Sequence, residues 1–185
     1  AYHSVWVNDN DLEIYKKRDV YAVINAGSNG KLASGIAPVS EMLDKNINLA
    51  VGTDGPSSNN ALDMFREIYL IAATQKLHNR DAASTDANRI LEMATIGSAK
   101  CMGLDNCNVI EADKKADLIV LDLHRPNMQP INNITKNIIY SGSKENVKLT
   151  MVNGRILYEN GCFNGIDTEE IYYYAQKITD RIKNI

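Results

Sequence analysis

The chain has 185 residues, 44% hydrophobic and 23% charged, with a net charge of −3. That length suits one domain, or one and a half, folded around a hydrophobic core. Lysines and arginines are scattered along the chain with no basic stripe, which argues against nucleic acid as a partner. No apolar run reaches the roughly 18 residues that cross a bilayer, and "AYHSVWVND" lacks the basic and long apolar regions of a signal peptide. The reading is a cytoplasmic protein without a membrane role. Cys101, Cys107 and Cys162 are odd in number and lack Cys-x-x-Cys spacing, against both a disulfide framework and a zinc knuckle.

In chain order, Tyr2 to Val7 is rich in aromatic and β-branched residues and predicts a strand at once. With no initiator methionine and no polar lead-in, it reads as a chain cut inside a fold. Asn8 or Asp9 can cap a helix running to about Lys17, and "VYAVINA" then reads as a buried strand. "AGSNGKLASG" predicts a flexible glycine-rich loop, before Pro38 starts a short helix through Leu43 and "INLAVGTD" forms the next strand. Leu62, Phe65, Tyr69 and Ala72 share one face at helical spacing, and a further helix spans about Asp86 to Met102, ended by Gly103. Alternating strands and helices over residues 1–103 predict a parallel α/β sheet or barrel.

Over residues 104–165 the pattern changes. "VIEADKKADLIVLDL" and "VKLTMVNGRILYENGCF" read as strands, with "NGR" and "ENG" as turns, predicting a small antiparallel unit. Residues 166–185 predict a terminal helix whose start is marked by Asp167 and Glu170. Its apolar stripe of Ile171, Tyr174, Ala175, Ile178 and Ile182 predicts packing.

Asp54 ends the apolar run "NLAVGTD", and parallel α/β folds place their ligand sites beyond the carboxyl ends of strands. It is therefore a candidate catalytic carboxylate, while its Asp-Gly sequence equally fits a turn cap through Gly55 and Ser57. His3 would project toward the same face if "AYH" ends its strand. Lys31 is followed by leucine where a phosphate loop needs serine or threonine, so "GSNGKLASG" reads instead as a flexible substrate loop. Asp9 to Asp11 starts like a calcium loop but lacks the later glycine and glutamate, leaving a helix cap. His78 and His124 sit among polar residues in "KLHNR" and "LHRPN" and are assigned no role.

Taken together and in order, "AYHSVWV", "SNGKLASGIAPV", "VGTDGPSSNNALDMF", "KKADLIVLDL" and "MVNGRILYENG" cover nearly the whole chain. This set resembles the C-terminal part of the amidohydrolase superfamily, in the branch of methylthioadenosine/S-adenosylhomocysteine deaminases, triazine chlorohydrolases and guanine deaminase. "GTDG" followed by "SNN" and "LDMF", after "SN" and "KLASGIAPV", carries the resemblance to that branch.

The resemblance implies an α/β fold: the last part of a (β/α)8 TIM barrel plus the C-terminal portion of a small β-sandwich and a terminal helix. It implies that Asp54 is a metal ligand and catalytic group, that His3 contacts the water and the reacting group, and that Ser58 lines the substrate pocket. The implied cofactor is a divalent metal, zinc or iron, in the parent protein. The implied substrate is a small aminated heterocycle, an adenosine-type nucleoside or a triazine-like ring. The family's His-x-His, and its histidine and glutamate after the fifth strand, have no counterpart here. This chain alone is therefore expected to bind no metal and to be inactive, with a missing N-terminal half or a homo-oligomer completing it. The family's His-Asn-Pro is replaced by Ile24, Asn25 and Ala26, which alters the pocket wall. The competing reading is a non-catalytic binding or structural half-barrel that pairs with another chain.

Overall fold

Asn8 opens the first helix of the computed structural model, which describes residues 1–183. Its side chain accepts from the backbone of Asn10 and Asp11, and the Asp11 carboxylate accepts in return from Asn8 N–H at 2.9 Å. This reciprocal cap fixes α1 at Asp9–Lys17. Strand β1 (Tyr21–Ile24) follows. It pairs in parallel with β2 (Asn48–Val51), Tyr21 opposite Asn48 and Ile24 opposite Val51. Ala22, Ile24, Leu49, Ala50 and Val51 are buried, as expected for strands apolar on consecutive positions.

The strand expected over Tyr2–Val7 shrinks to one parallel bridge between Tyr2 and Val23. His3 N–H donates to Val23 O at 2.9 Å, and Val23 N–H to Ala1 O at 2.8 Å. His3 and Ser4 then take left-handed φ values of 63° and 49°, turning the chain out of the sheet. Strand-forming residues need a surface to pack on, and Trp6 remains exposed.

The expected glycine-rich loop is a second difference, because Ala26–Lys31 forms helix α2. Glycine disfavours a helix interior by roughly 0.5–1 kcal/mol, and tertiary contacts override that here. Gly27 N–H donates to the buried Glu67 carboxyl at 2.8 Å, and a Cβ on Gly27 would overlap that same group.

Helix α3 (Val39–Asp44) starts after Pro38 as expected, and α4 (Pro56–Asn59) begins on a proline. Helix α5 (Met64–Asn79) is capped by the Asp63 side chain and buries Glu67, Ile68, Ile71, Ala72 and Gln75. Of the stripe expected there, Phe65 and Ala72 face the core, while Leu62, which precedes the cap, and Tyr69 stay exposed.

Helix α6 (Ala87–Glu92), a π turn at Met93–Gly97 and α7 (Ser98–Cys101) run on without a break, and Gly103 follows at φ 70°. Gly97 lies so close to the Leu49 carbonyl that a Cβ there would overlap it. Val51 N–H donates to Ser98 Oγ at 3.1 Å, which secures the end of β2.

Helix α8 (Ile134–Tyr140) adds Ile139 to the core built by α5 and β2. One compact unit therefore comprises Ala1–Lys114 and Leu123–Asn146, and a second comprises Lys115–Asp122 and Val147–Ile185. These limits differ from divisions at 103 and 165, because residues 123–146 return to the first core and the terminal helix joins the second unit.

In the second unit, β3 (Leu118–Leu121), β4 (Val147–Val152), β5 (Arg155–Glu159) and β6 (Cys162–Phe163) form an antiparallel sheet in that order. Asn153-Gly154 and Asn160-Gly161 make the hairpins, with all four φ values positive as tight hairpin turns require. Helix α9 (Thr168–Lys183) buries no residue. The stripe of Ile171, Tyr174, Ile178 and Ile182, expected to pack, is more than half exposed. An amphipathic pattern marks a face able to pack, and nothing among the described residues covers this one.

Candidate active site

The carboxyl ends of β1 and β2 deliver the polar side chains. Asp54 lies just past β2, His3 just past the bridge beside β1, and Ser28 on α2 directly after β1. Asp54 and Asn60 join His3 and Ser4 in the left-handed region, at φ 59° and 69°. Such backbone costs about 1–3 kcal/mol at a non-glycine residue, and it also occurs in turns and bends away from these residues, at Asp19, Arg80 and Thr85 among others.

The Asp54 carboxylate accepts three hydrogen bonds, which leaves acceptor capacity on Oδ1. Oδ1 accepts from Gly55 N–H at 2.7 Å, and Oδ2 accepts from the hydroxyls of Ser28 and Ser58, each at 2.7 Å. The turn-cap reading thus describes Oδ1, while Oδ2 faces the histidine. His3 Nε2 stands 3.8 Å from Asp54 Oδ2, and its Nδ1–H donates to Oδ1 of the buried Asn29 at 2.8 Å. Because an amide oxygen only accepts, Nδ1 carries the proton and Nε2 is presented toward Asp54. The pair opens into a cleft of about 440 Å³ whose lining includes Tyr2, Trp6, Tyr15 and Leu32.

The donors from Ser28, then Ser58, then Gly55 N–H hold the Asp54 carboxyl down at about 2, with partial desolvation opposing them and His3 adding a smaller pull. The folded value lies below the ordinary 3.8. The carboxylate therefore adds stability that is present above about pH 4 and lost as pH falls through about 2. A carbon-detected NMR titration is expected to give Asp54 a midpoint near 2. A midpoint at or above 3.8 would show that the hydroxyls do not donate to it.

Of the residues picked from sequence, His3 and Asp54 come together and Ser58 lies against Asp54. Ser58 Oγ is also 3.1 Å from Gly55 O, so its geometry is that of a carboxylate support. The sequence made Ser28 and Asn29 part of a substrate loop without individual roles, and gave no role to Asn59 or Glu67. Ser28 and Asn29 fall in a stretch read as loop, where a helical reading would have turned them toward Asp54 and His3. Asn59 was visible only as part of "SNN", and an acid in the first turn of a helix ordinarily faces solvent.

A catalytic divalent ion takes about three protein ligands and an open position. Asp54 suits such an ion, being anionic at neutral pH and beside a histidine. Among the described residues, however, no group of three or more His, Cys, Asp or Glu side chains comes together to hold a metal. The residues present fit part of a metal site.

A carboxylate and a histidine at the carboxyl ends of parallel strands stand where α/β folds place their ligand sites, and residues 1–157 match the model of the amidohydrolase family. The chain belongs to the amidohydrolase family. It is 42% identical, over its whole length, to a 5-methylthioadenosine/S-adenosylhomocysteine deaminase of Thermoanaerobacter pseudethanolicus. All of it superposes on a zinc-bound adenosine deaminase from Xanthomonas campestris with a TM-score of 0.97 and 33% identity, covering 42% of that chain. A zinc complex of atrazine chlorohydrolase from Arthrobacter aurescens matches 95% of this chain and 39% of its own at a TM-score of 0.88 and 25% identity. The chain spans 42% of the length of the Thermoanaerobacter relative. No helix among the described residues is long and apolar enough to cross a membrane.

Proposed function

We propose that the chain is the C-terminal part of a metal-dependent deaminase acting on an adenosine-type nucleoside. Its residues 1–183 supply the last strands of a (β/α)8 barrel and part of a small β-sandwich. The observation that carries the reading is the ionised Asp54 carboxylate facing His3 at the carboxyl ends of parallel strands. The names of the relatives favour an aminated nucleoside, since the match to the deaminase is 42% identical and that to the chlorohydrolase 25%. The remaining metal ligands come from residues outside this chain, in the rest of a longer polypeptide or in a partner.

A bound divalent ion supplies Lewis acidity and an activated water. Asp54 would be this chain's ligand to such an ion, and its carboxylate would accept a proton from the attacking water and return it to the departing amine. The C–N bond at the ring carbon breaks, a C–O bond forms, and ammonia leaves. His3, oriented through Nδ1–H by Asn29, presents Nε2 toward the reacting group. Ser28 and Ser58 hold Asp54 Oδ2 in place, and Ser58 also borders the substrate.

The test is His3→Gln in the complete protein. kcat is expected to fall by about 10²-fold or more, within the range for a positioned proton-transfer group, with metal content unchanged by elemental analysis. Undiminished ammonia release from an adenosine substrate, or complete loss of metal, would remove His3 from this role. A complete wild-type protein without deaminase activity would favour the non-catalytic half-barrel.

A further inference from the structure

Glu67 is fully buried in the first turn of α5, and its carboxyl group divides between two other helices. Oε2 accepts from Gly27 N–H of α2 at 2.8 Å, and Oε1 accepts from Asn59 Nδ2 of α4 at 2.6 Å. Each partner adjoins one of the serines that hold Asp54: Ser28 follows Gly27, and Ser58 precedes Asn59. Asn59 Nδ2 also donates to Thr53 O at 2.6 Å, gripping the peptide just before Asp54. One buried group thus holds the neighbours of both serines that donate to Asp54.

The chemistry at this point calls for an acceptor with two oxygens. Helix α2 has no side-chain cap of its own, since Asn25 makes no capping bond, so the Gly27 N–H needs an outside acceptor. Asn59 Oδ1 is buried with no partner, so the two acceptors at Nδ2, Thr53 O and Glu67, dictate the orientation of the amide. The start of α5 favours a carboxyl group through its helix dipole, which offsets part of the burial cost.

We propose that Glu67 is a positioning residue for the reaction, setting the placement of the Ser28 and Ser58 hydroxyls on Asp54 Oδ2 from beneath the site. The inference rests on the assignment of Asp54 as a catalytic group. Glu67→Gln conserves shape but turns an amide NH₂ toward one of two N–H donors, so one of the links must open.

In the complete enzyme, Glu67→Gln is expected to lower kcat about 10–100-fold while KM changes less than about threefold, the pattern of an interaction made mainly in the transition state. If Glu67 acts through the serines, its effect depends on them. In a Ser28→Ala/Ser58→Ala background, adding Glu67→Gln should change kcat by less than about twofold, although the melting temperature still falls. Equal loss of kcat in both backgrounds would make Glu67 an ordinary structural residue and overturn the proposal. If Glu67→Gln does not fold, Asn59→Ala, which removes the α4 link and the Thr53 contact but leaves the Gly27 N–H bonded to Glu67, takes its place with Ser58→Ala, under the same two outcomes. Asp54→Asn separates the two levels of inference. Full activity in that variant defeats the underlying site assignment, whereas an inactive Asp54→Asn beside additive Glu67→Gln defeats only the positioning role.

Discussion

Asp54→Asn in the complete protein is expected to lower kcat by on the order of 10³–10⁴-fold while the fold is retained, with the stability that the ionised carboxylate adds being lost. Asparagine keeps the outline of the side chain and can still accept from Gly55 N–H through its carbonyl oxygen. The Ser28 and Ser58 hydroxyls now donate to Oδ2, and both can rotate to accept from an amide, so no polar group is stranded. What disappears is the negative charge and the capacity to take a proton. Steady-state kinetics, elemental analysis and circular dichroism on the same sample check the three parts of the claim. Near-normal turnover with metal still bound would leave Asp54 as a turn cap and nothing more.

The second large effect falls on stability. Gly27→Ala places a Cβ against the buried Glu67 carboxyl, 2.8 Å from Asn59 Nδ2 and 2.9 Å from Asn59 Oδ1. Overpacking costs about 1–3 kcal/mol, and parting Glu67 from its donors adds a similar penalty of about 1–3 kcal/mol for each buried group left unbonded. A loss on the order of 3 kcal/mol is expected, with turnover reduced as the serines shift. Gly30 in the same helix is the internal control, because a Cβ there meets nothing within 4 Å. Gly30→Ala should be neutral or stabilising by up to about 1 kcal/mol, through helix propensity. Denaturant midpoints for the two variants decide the matter, and equal effects would show that helix propensity, not the Glu67 contact, governs position 27.

The separation between Gly27 and Gly30 is a small case of a general division in this chain. Features whose physics is local were legible in the sequence. Asn8 and Asp11 cap α1 across one turn, Pro38 precedes a helix, and the Asn-Gly pairs at 153–154 and 160–161 form the hairpins. The apolar runs of β1 and β2 predicted parallel, buried strands, and Asp54 at the end of the second was legible as a site candidate for that reason. The resemblance extended this to His3, which spacing alone placed only conditionally.

Tertiary structure decided everything that depends on what an element meets. Residues 26–31 form a helix despite two glycines because Glu67, distant in sequence, accepts the Gly27 N–H and fills the space a Cβ would take. Residues 4–7 leave the sheet despite strand-forming side chains, and the α9 stripe stays exposed despite its helical period. Glu67 gives no sign in the sequence that it is buried, since an acid in a first helical turn is ordinary at a surface. Local pattern records what a segment can do alone, through caps, turns and the periodicity of its faces. Which face is covered, and which serine meets which carboxylate, follows from contacts between residues about 26 to 40 positions apart, and those exist only once the chain has closed on itself.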